Sequence, residues 1–256
     1  MKKLIKTGVL SMIWMVPLWS IEIHSMTEAV NIAGKQRMFT QKMLKDYAMI
    51  GMGNTFGDPV ADIQQTISLF TDHLNSLKSY AKDEATKASL NKVETLWKEV
   101  EPELKGTPDV SKVRSLQAKL DALLHASDEA TKAFAKASGT KSGETVNIAG
   151  RQRMLSQRMA SLYMLKVWGV KDPEFKEKLD TALTEFKEAL AKLEKTPVNT
   201  DETKALLSKV KRSFMFFEMM NRSKSKFIPT LIYKKSDDIL KNMNTVTQLY
   251  VKNETK

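Results

Sequence analysis

One 16-residue motif occurs twice in the chain: residues 28–43 read EAVNIAGKQRMFTQKM, and residues 144–159 read ETVNIAGRQRMLSQRM. The copies lie 116 positions apart and agree at 11 of 16 positions, with mild exchanges such as Lys35 for Arg151. The same offset pairs further residues along the chain: Tyr47 with Tyr163, Phe70 with Phe186, Leu74 with Leu190, Leu77 with Leu193 and Leu124 with Leu240. The sequence therefore predicts a tandem duplication.

Composition argues against the common kinds of enzyme. The chain has 256 residues, and its ten Gly and seven Pro are too few for a β-sandwich with many turns. It has no Cys and three His, which excludes disulfides, a thiolate nucleophile and Cys-ligated metals. The sequence contains no Gly-rich phosphate loop, nucleophile motif or Glu-x-x-His pair. We therefore predict a non-enzyme with no cofactor and no metal site.

The amino terminus resembles a secretory signal. Three lysines precede an apolar segment, Gly8–Trp19, which is too short to span a bilayer comfortably. We expect cleavage near Ser25, with an uncleaved anchor as the alternative. No later stretch approaches about 18 consecutive apolar residues, so we expect a periplasmic protein without stable membrane insertion after cleavage.

The charge of the chain is basic, with a formal net charge of +11. Removing residues 1–25 takes away three Lys and one Glu and leaves +9. Such a balance attracts anions, whether small ions, nucleic acid or acidic envelope polymers. Export and the lack of a known nucleic-acid-binding signature argue against nucleic acid. A solvated lysine-rich surface is the alternative explanation.

Gly and Pro divide each half into four helical segments, which predicts an all-α fold of two tandem up-down-up-down four-helix bundles related by a pseudo-twofold axis. The predicted helices cover residues 27–52, 59–81, 84–104, 110–137, 144–168, 173–195, 200–225 and 229–252. We expect Asp109 to cap the fourth helix and Gly139–Gly143 to join it to the fifth as a kinked, nearly continuous rod. The domains are placed at residues 26–139 and 140–256.

The repeated helix carries two opposed faces. One is expected to fill the core of its own bundle: Ile32, Phe39, Met43 and Ile50, with Ile148, Leu155 and Met159 in the copy. The other is narrow and centred on an arginine: Val30, Ala33, Gly34, Arg37, Thr40, Gln41, Leu44 and Ala48, with Val146, Ala149, Gly150, Arg153, Ser156, Gln157 and Ala160 in the copy. Because small residues allow close approach, we expect the two copies to face each other across the axis.

Symmetry would place Arg37 and Arg153 close together at that contact. Two guanidinium groups in a partly dry interface repel each other unless an anion lies between them. The forked donors of arginine suit a flat oxyanion such as nitrate or a carboxylate. The predicted ligand site contains both arginines and six neighbours that allow close approach or orient the ligand: Gly34, Gly150, Gln41, Gln157, Asn31 and Asn147.

A simpler interpretation gives the arginines no ligand. Arg37 could extend into solvent, or it could pair with Glu28, with Asp46 or with an acidic residue of a neighbouring helix. The other basic residues of the motif are expected to be solvated flanks and not ligands: Lys35, Arg151, Lys42 and Arg158.

The sequence NIAGRQRMLSQRM resembles the signature of the PilJ-type sensor domain of type IV pili methyl-accepting chemotaxis transducers. It is also similar to the P-box helix of nitrate/nitrite sensor kinases, in which Asn, Ala-Gly and Arg-Met recur in this order. The resemblance implies extracytoplasmic four-helix bundles that pair through this helix. It also implies that the arginine of each Arg-Met pair binds nitrate, and these arginines correspond to Arg37 and Arg153. The sensor kinases form this nitrate site from two subunits, whereas here one chain would supply both arginines.

Together these features predict a periplasmic protein that binds or senses nitrate or nitrite between its two P-box-like helices. A membrane sensor or a transport protein would read the bound state. The alternative is a non-catalytic adaptor whose bundle surface docks a pilus, an envelope component or a chemoreceptor ectodomain, with the motif kept for helix packing.

Overall fold

The computed structural model describes the backbone of residues 21–139, 141–222 and 228–254, and the side chains of residues 21–139, 144–221 and 228–253. Within these ranges the chain forms eight helices and no strand: α1 Met26–Gly51, α2 Pro59–Tyr80, α3 Glu84–Lys105, α4 Val113–Ser138, α5 Lys141–Val167, α6 Phe175–Glu194, α7 Asp201–Arg222 and α8 Pro229–Glu254. The predicted signal lies largely in residues 1–20, outside the described residues. Among the described helices, none combines the length and hydropathy that a membrane span requires.

Each half of the chain is a four-helix bundle. In the first half α1 packs against α2 and α4, and α3 completes the bundle; α5, α6, α7 and α8 repeat this arrangement. The two bundles are joined through contacts between α1 and α5. Gly34 lies against Gly150 and Gly51 lies against Trp168, which shows that the two helices run parallel and in register. The predicted all-α fold of two tandem four-helix bundles is confirmed.

Local sequence explains where the first helices begin. The Ser25 hydroxyl accepts a hydrogen bond from the backbone N–H of Glu28 and caps α1. Asp58 caps α2 by accepting from the N–H of Ala61, and Pro59 occupies the first turn, where a missing N–H is harmless. Asp83 caps α3 in the same way. Because short turns separate capped helices, neighbours in each half pack antiparallel.

The structure corrects the predicted start of the fourth helix. Asp109 accepts hydrogen bonds from the N–H and the hydroxyl of Ser111, both only two residues ahead. Such a local bond stabilises a tight turn and competes with helix formation. As a result α4 begins at Val113 and not at residue 110.

The predicted rod between the fourth and fifth helices is also wrong. Gly139 ends α4 with a left-handed backbone, φ 63°, a conformation that glycine adopts at little cost and that reverses the chain direction. The chain then returns as α5 antiparallel to α4, and the ion pair between Asp121 and Arg158 joins the two helices. A continuous rod would have left α5 antiparallel to α1 and the two repeats out of register.

A buried glutamine in each repeat fixes how its helix is rotated. The side-chain amide of Gln36 donates to the backbone carbonyl of Phe70 over 2.9 Å, and that of Gln152 donates to Phe186 over the same distance. Phe70 and Phe186 then stack on aromatic partners in their own cores, at 4.2 Å from Trp97 and 4.5 Å from Phe214. With the glutamine held against its own bundle, the next residue, an arginine, faces the other half.

Candidate functional site

The α1–α5 interface is closest at its two glycines. The Cα atom of Gly34 lies 3.9 Å from the position that a Cβ on Gly150 would occupy. A Cβ added to Gly34 would lie 3.3 Å from Nη2 of Arg37 and 3.4 Å from Nη2 of Arg153. Both guanidinium groups therefore share the space beside the glycines, and the structure brings the two arginines together where symmetry predicted them.

Each arginine reaches across to the opposite repeat. Nη2 of Arg37 donates to the backbone carbonyl of Asn147, and Nη2 of Arg153 donates to that of Asn31, both over 3.3 Å. The side chains are fully enclosed, with Arg37 1% exposed and Arg153 0% exposed. We call this pair of guanidinium groups, with Gly34 and Gly150, the arginine site.

The two halves of the arginine site differ in their second partner. Nη1 of Arg37 donates to a carboxylate oxygen of Asp128 on α4, over 2.5 Å. Nη1 of Arg153 donates to the amide oxygen of Asn244 on α8, over 3.2 Å. Asp128 and Asn244 are equivalent positions of the duplication. Arg37 therefore follows the simpler interpretation, pairing with an acid of a neighbouring helix, whereas Arg153 has no carboxylate partner among the described residues.

This difference appears in the electrostatics of the arginine site. Burial first and the charge of Arg37 second lower the pKa of Arg153 to about 9. Burial also lowers the pKa of Arg37, but the charge and hydrogen bond of Asp128 oppose that change. Burial raises the pKa of Asp128, yet Arg37 and Lys132 outweigh it and hold that pKa below its usual range. One buried positive charge is thus left without compensation.

Several polar atoms around the arginine site have no hydrogen-bond partner in the described part of the chain. These are Nε of Arg37 and of Arg153 and the Oδ1 atoms of Asn31 and Asn147. Burying a polar group unpaired costs about 1–3 kcal/mol, and native proteins leave few of them. Unused donors beside unused acceptors fit a bound anion accompanied by ordered water.

The predicted glutamines lie one turn further along the helices. The amide nitrogen of Gln41 is 3.4 Å from Asp121 Oδ1, and its oxygen accepts from the hydroxyl of Ser161. The amide nitrogen of Gln157 donates to the carbonyl of Ser236, while its oxygen has no partner among the described residues. Both amides already bind protein groups, and their contact with a ligand stays a prediction.

The flanking basic residues are more enclosed than expected. Lys42 is bound to Asp46 and Asp62, with only 14% of its side chain exposed, so a solvated Lys42 was the wrong expectation. Arg151 pairs with Glu185, and Arg158 with Asp121.

Lys35 is half-buried and forms no ion pair within the described ranges. Burial first and Arg153 second lower its pKa to about 8, against the opposing charge of Glu28.

A cleft connects the arginine site with the surface. It has a volume of about 290 Å³, and Arg37, Asp128 and Asn147 are among the residues that line it. Arg151 and the exposed Lys192 lie along the same cleft. A small ion can therefore approach Arg37 between α4, α5 and α6.

A second group of buried charges was missed by sequence reasoning. Lys45 and Asp46 are both 0% exposed. Nζ of Lys45 lies 2.8 Å from Asp237 Oδ1 and 3.7 Å from the ring centroid of Tyr233, whose hydroxyl donates to Asp62 over 2.6 Å. We call these residues, with Lys42, the lysine network; it ties α1 and α2 to α8. The available signal was a Lys-Asp pair within a largely apolar helix, which the other copy replaces by Ser161 and Leu162.

The described residues offer no obvious metal centre. Among them, no group of three or more His, Asp or Glu side chains is arranged to hold a metal ion. The buried guanidinium donors of the arginine site are suited to the recognition of negative charge.

The family comparison agrees with this architecture. The model of the PilJ family, described as the type IV pili methyl-accepting chemotaxis transducer N-terminal domain, matches residues 20–130 and 134–214. These segments include both copies of the repeated motif, whereas α8 lies beyond them. No curated protein and no solved structure matches the chain. PilJ domains are sensing domains and are typically periplasmic. The chain belongs to the PilJ family, with a match in two segments that follow its internal duplication.

Proposed function

We propose that this protein is a periplasmic sensor or binding protein that holds one small oxyanion, nitrate or nitrite first, between Arg37 and Arg153. The observation that carries the proposal is the fully buried guanidinium of Arg153, which has a second guanidinium beside it and no carboxylate partner in the described part of the chain. Membership of a sensing family supports the same function.

The physical reason is the free energy of a buried, unpaired charge. Enclosing one without compensation costs several kcal/mol in real proteins. An anion beside Arg153 would supply the missing charge and accept hydrogen bonds from the unused Nε atoms. Charge-assisted bonds of this kind are about twice as strong as neutral ones. Binding of the anion would therefore stabilise the folded protein.

The output of binding would be a change in how α1 and α5 are set against each other. The two helices meet at the arginine site, so relief of guanidinium repulsion favours a closer arrangement over a more open one. A ligand shifts such an equilibrium only as far as its affinities for the two arrangements differ. We propose that a membrane sensor or a transport protein reads this shift.

Isothermal titration of the purified protein with nitrate, nitrite and chloride tests the proposal. We expect saturable binding of one nitrate or nitrite per chain and weaker binding of chloride, because a single spherical ion has no separate oxygens to match the forked donors of the guanidinium groups. Arg37→Ala and Arg153→Ala are each expected to abolish binding. The control is Arg212→Ala, which removes an arginine on α7 that donates a hydrogen bond to Ser208.

Two outcomes would refute the proposal. One is nitrate binding that survives both arginine substitutions. The other is the absence of binding by a folded protein, shown by a cooperative thermal transition. In that case the adaptor alternative becomes the better hypothesis, and it predicts that surface substitutions, and not Arg37→Ala or Arg153→Ala, disrupt the capture of an envelope partner.

A further inference from the structure

We infer that the arginine site is built for a monovalent anion and that Asp128 determines this charge selectivity. The inference rests on the proposed function and adds a residue that sequence reasoning did not include. The partner of the arginine Nη1 atom differs in charge between the two repeats: it is Asp128 in the first repeat and Asn244 in the second.

The charges at the arginine site define the ligand that it can neutralise. The two guanidinium groups contribute two positive charges, and Asp128 contributes one negative charge at 2.5 Å from Arg37. Asn244 makes the equivalent contact at 3.2 Å without a charge. Among these three groups one positive charge remains, so one negative charge restores their neutrality; Lys35 and Arg151, whose charges act on Arg153 and Arg37, lie outside this count. A divalent anion would instead leave an excess buried negative charge, which is unfavourable in an enclosed site.

The distribution of charge favours an anion nearer to Arg153, although the cleft reaches the arginine site beside Arg37. Asp128 already occupies Nη1 of Arg37, and its carboxylate repels a second negative group at that position. The acceptor of Arg153, the Asn244 amide oxygen, carries no negative charge, so this contact is weaker than the ion pair of Arg37 with Asp128 and more easily exchanged. Arg153 therefore supplies the charge that binds the anion, and Arg37 supplies its free Nε.

Lys132 modifies this count only slightly. Its Nζ lies 2.6 Å from the other oxygen of Asp128, but 62% of its side chain is exposed, against 15% for Asp128. Water and salt screen an exposed charge far more than a buried one. The equivalent position of the other repeat holds Gln248, so Lys132→Gln reproduces a side chain that the fold already accepts there.

The test exchanges the two equivalent residues and titrates each protein with nitrate and with sulfate. The unmodified protein is expected to bind nitrate and to bind sulfate at least tenfold more weakly. Asp128→Asn removes the internal carboxylate, so nitrate affinity should rise about tenfold and sulfate should now bind. Asn244→Asp compensates Arg153 internally and should abolish nitrate binding. Lys132→Gln tests the partner of Asp128 and should lower nitrate affinity by less than about threefold, whereas Lys105→Gln, on the exposed surface of α3, is the control and should leave it unchanged.

Thermal unfolding without any anion gives a second readout. Asn244→Asp is expected to raise the midpoint of unfolding, because it supplies the charge that Arg153 lacks, and Asp128→Asn is expected to lower it. If Asp128→Asn fails to fold, the Asn244→Asp variant still tests the inference through loss of nitrate binding and gain of stability.

The outcomes separate this inference from the proposed function. Nitrate binding by the unmodified protein that persists in Asn244→Asp, or sulfate exclusion that persists in a folded Asp128→Asn, overturns the role of Asp128 and leaves the proposed function intact. A lower unfolding midpoint for Asn244→Asp likewise contradicts the charge count. If neither the unmodified protein nor Asp128→Asn binds any anion, the proposed function fails and the inference fails with it.

Discussion

The arginine site and the lysine network are two ways in which the same helix, α1, buries positive charge. In the lysine network each cation meets carboxylates: Lys42 binds Asp46 and Asp62, and Lys45 binds Asp237 and lies 3.8 Å from Asp46. In the arginine site two cations share one carboxylate, that of Asp128. Buried cations that are fully paired with carboxylates of the protein hold helices together. Buried cations that outnumber their carboxylates can bind an external anion.

The largest expected effect breaks the closed network. Lys45→Met leaves Asp46 fully buried with one cation fewer and removes the contact of Lys45 with the Tyr233 ring. Removing one partner of a buried ion pair typically destabilises a protein by about 3–5 kcal/mol. We expect a loss of about 3 kcal/mol in the free energy of unfolding, measured with urea.

Lys105→Met is the matched control for this loss. Lys105 pairs with Glu101 on the exposed surface of α3, with 59% of its side chain exposed. The substitution should leave the urea midpoint almost unchanged, because exposed ion pairs contribute little. If Lys45→Met proved as mild as the control, the lysine network would not be a structural element.

The next effect differs in sign between the two arginines. Arg153→Met replaces an uncompensated buried charge by an apolar side chain, so we expect the protein without ligand to gain about 1 kcal/mol of stability. Arg37→Met leaves Asp128 with Lys132 alone and should lose about 2 kcal/mol. Urea unfolding of both variants measures the contrast. Equal losses in the free energy of unfolding would contradict this contrast. They would mean that some interaction other than the contacts with Asn31 and Asn244 compensates the charge of Arg153.

The pH dependence of nitrate binding sharpens the comparison further. Binding requires a protonated Arg153, and its pKa in the free protein is lowered to about 9. Affinity should therefore hold up to about pH 8 and then fall with rising pH, by about tenfold for each unit above pH 9. Titration calorimetry between pH 7 and about 10.5 measures this profile, since nitrate itself does not titrate there.

Lys35 provides the control for this pH profile. Its pKa is lowered to about 8, and it lies close enough to Arg153 for the two charges to repel each other. In Lys35→Met any early decline near pH 8 should disappear, while the decline above pH 9 should remain. A profile that is flat to pH 10.5 in both proteins would contradict the assignment to Arg153.

The duplication explains how much of this architecture the sequence could predict. Two near-identical motifs predicted that α1 and α5 face each other and that Arg37 meets Arg153, because symmetry relates every element that both copies share. The parallel direction of the two helices was not predicted. Features present in one half only could not be predicted from the duplication. The carboxylate of Asp128 has no counterpart at Asn244, and the buried pair Lys45–Asp46 has none at Ser161–Leu162. The expected rod at Gly139 was wrong, although a glycine just beyond the last helical residue is a sequence signal for a left-handed helix end.

The smallest expected effect concerns the glycines of the arginine site. A Cβ at Gly150 would lie 3.1 Å from Nη2 of Arg153 and 3.2 Å from Nη2 of Arg37, slightly closer than one at Gly34. These neighbours are the ends of flexible side chains, so Gly150→Ala and Gly34→Ala should fold, helped by up to about 1 kcal/mol of helix propensity. Both should weaken nitrate binding a few-fold by displacing the guanidinium groups, Gly150→Ala more than Gly34→Ala. Calorimetric titration measures both affinities, and full affinity in both variants would show that the anion is not held where the two arginines meet.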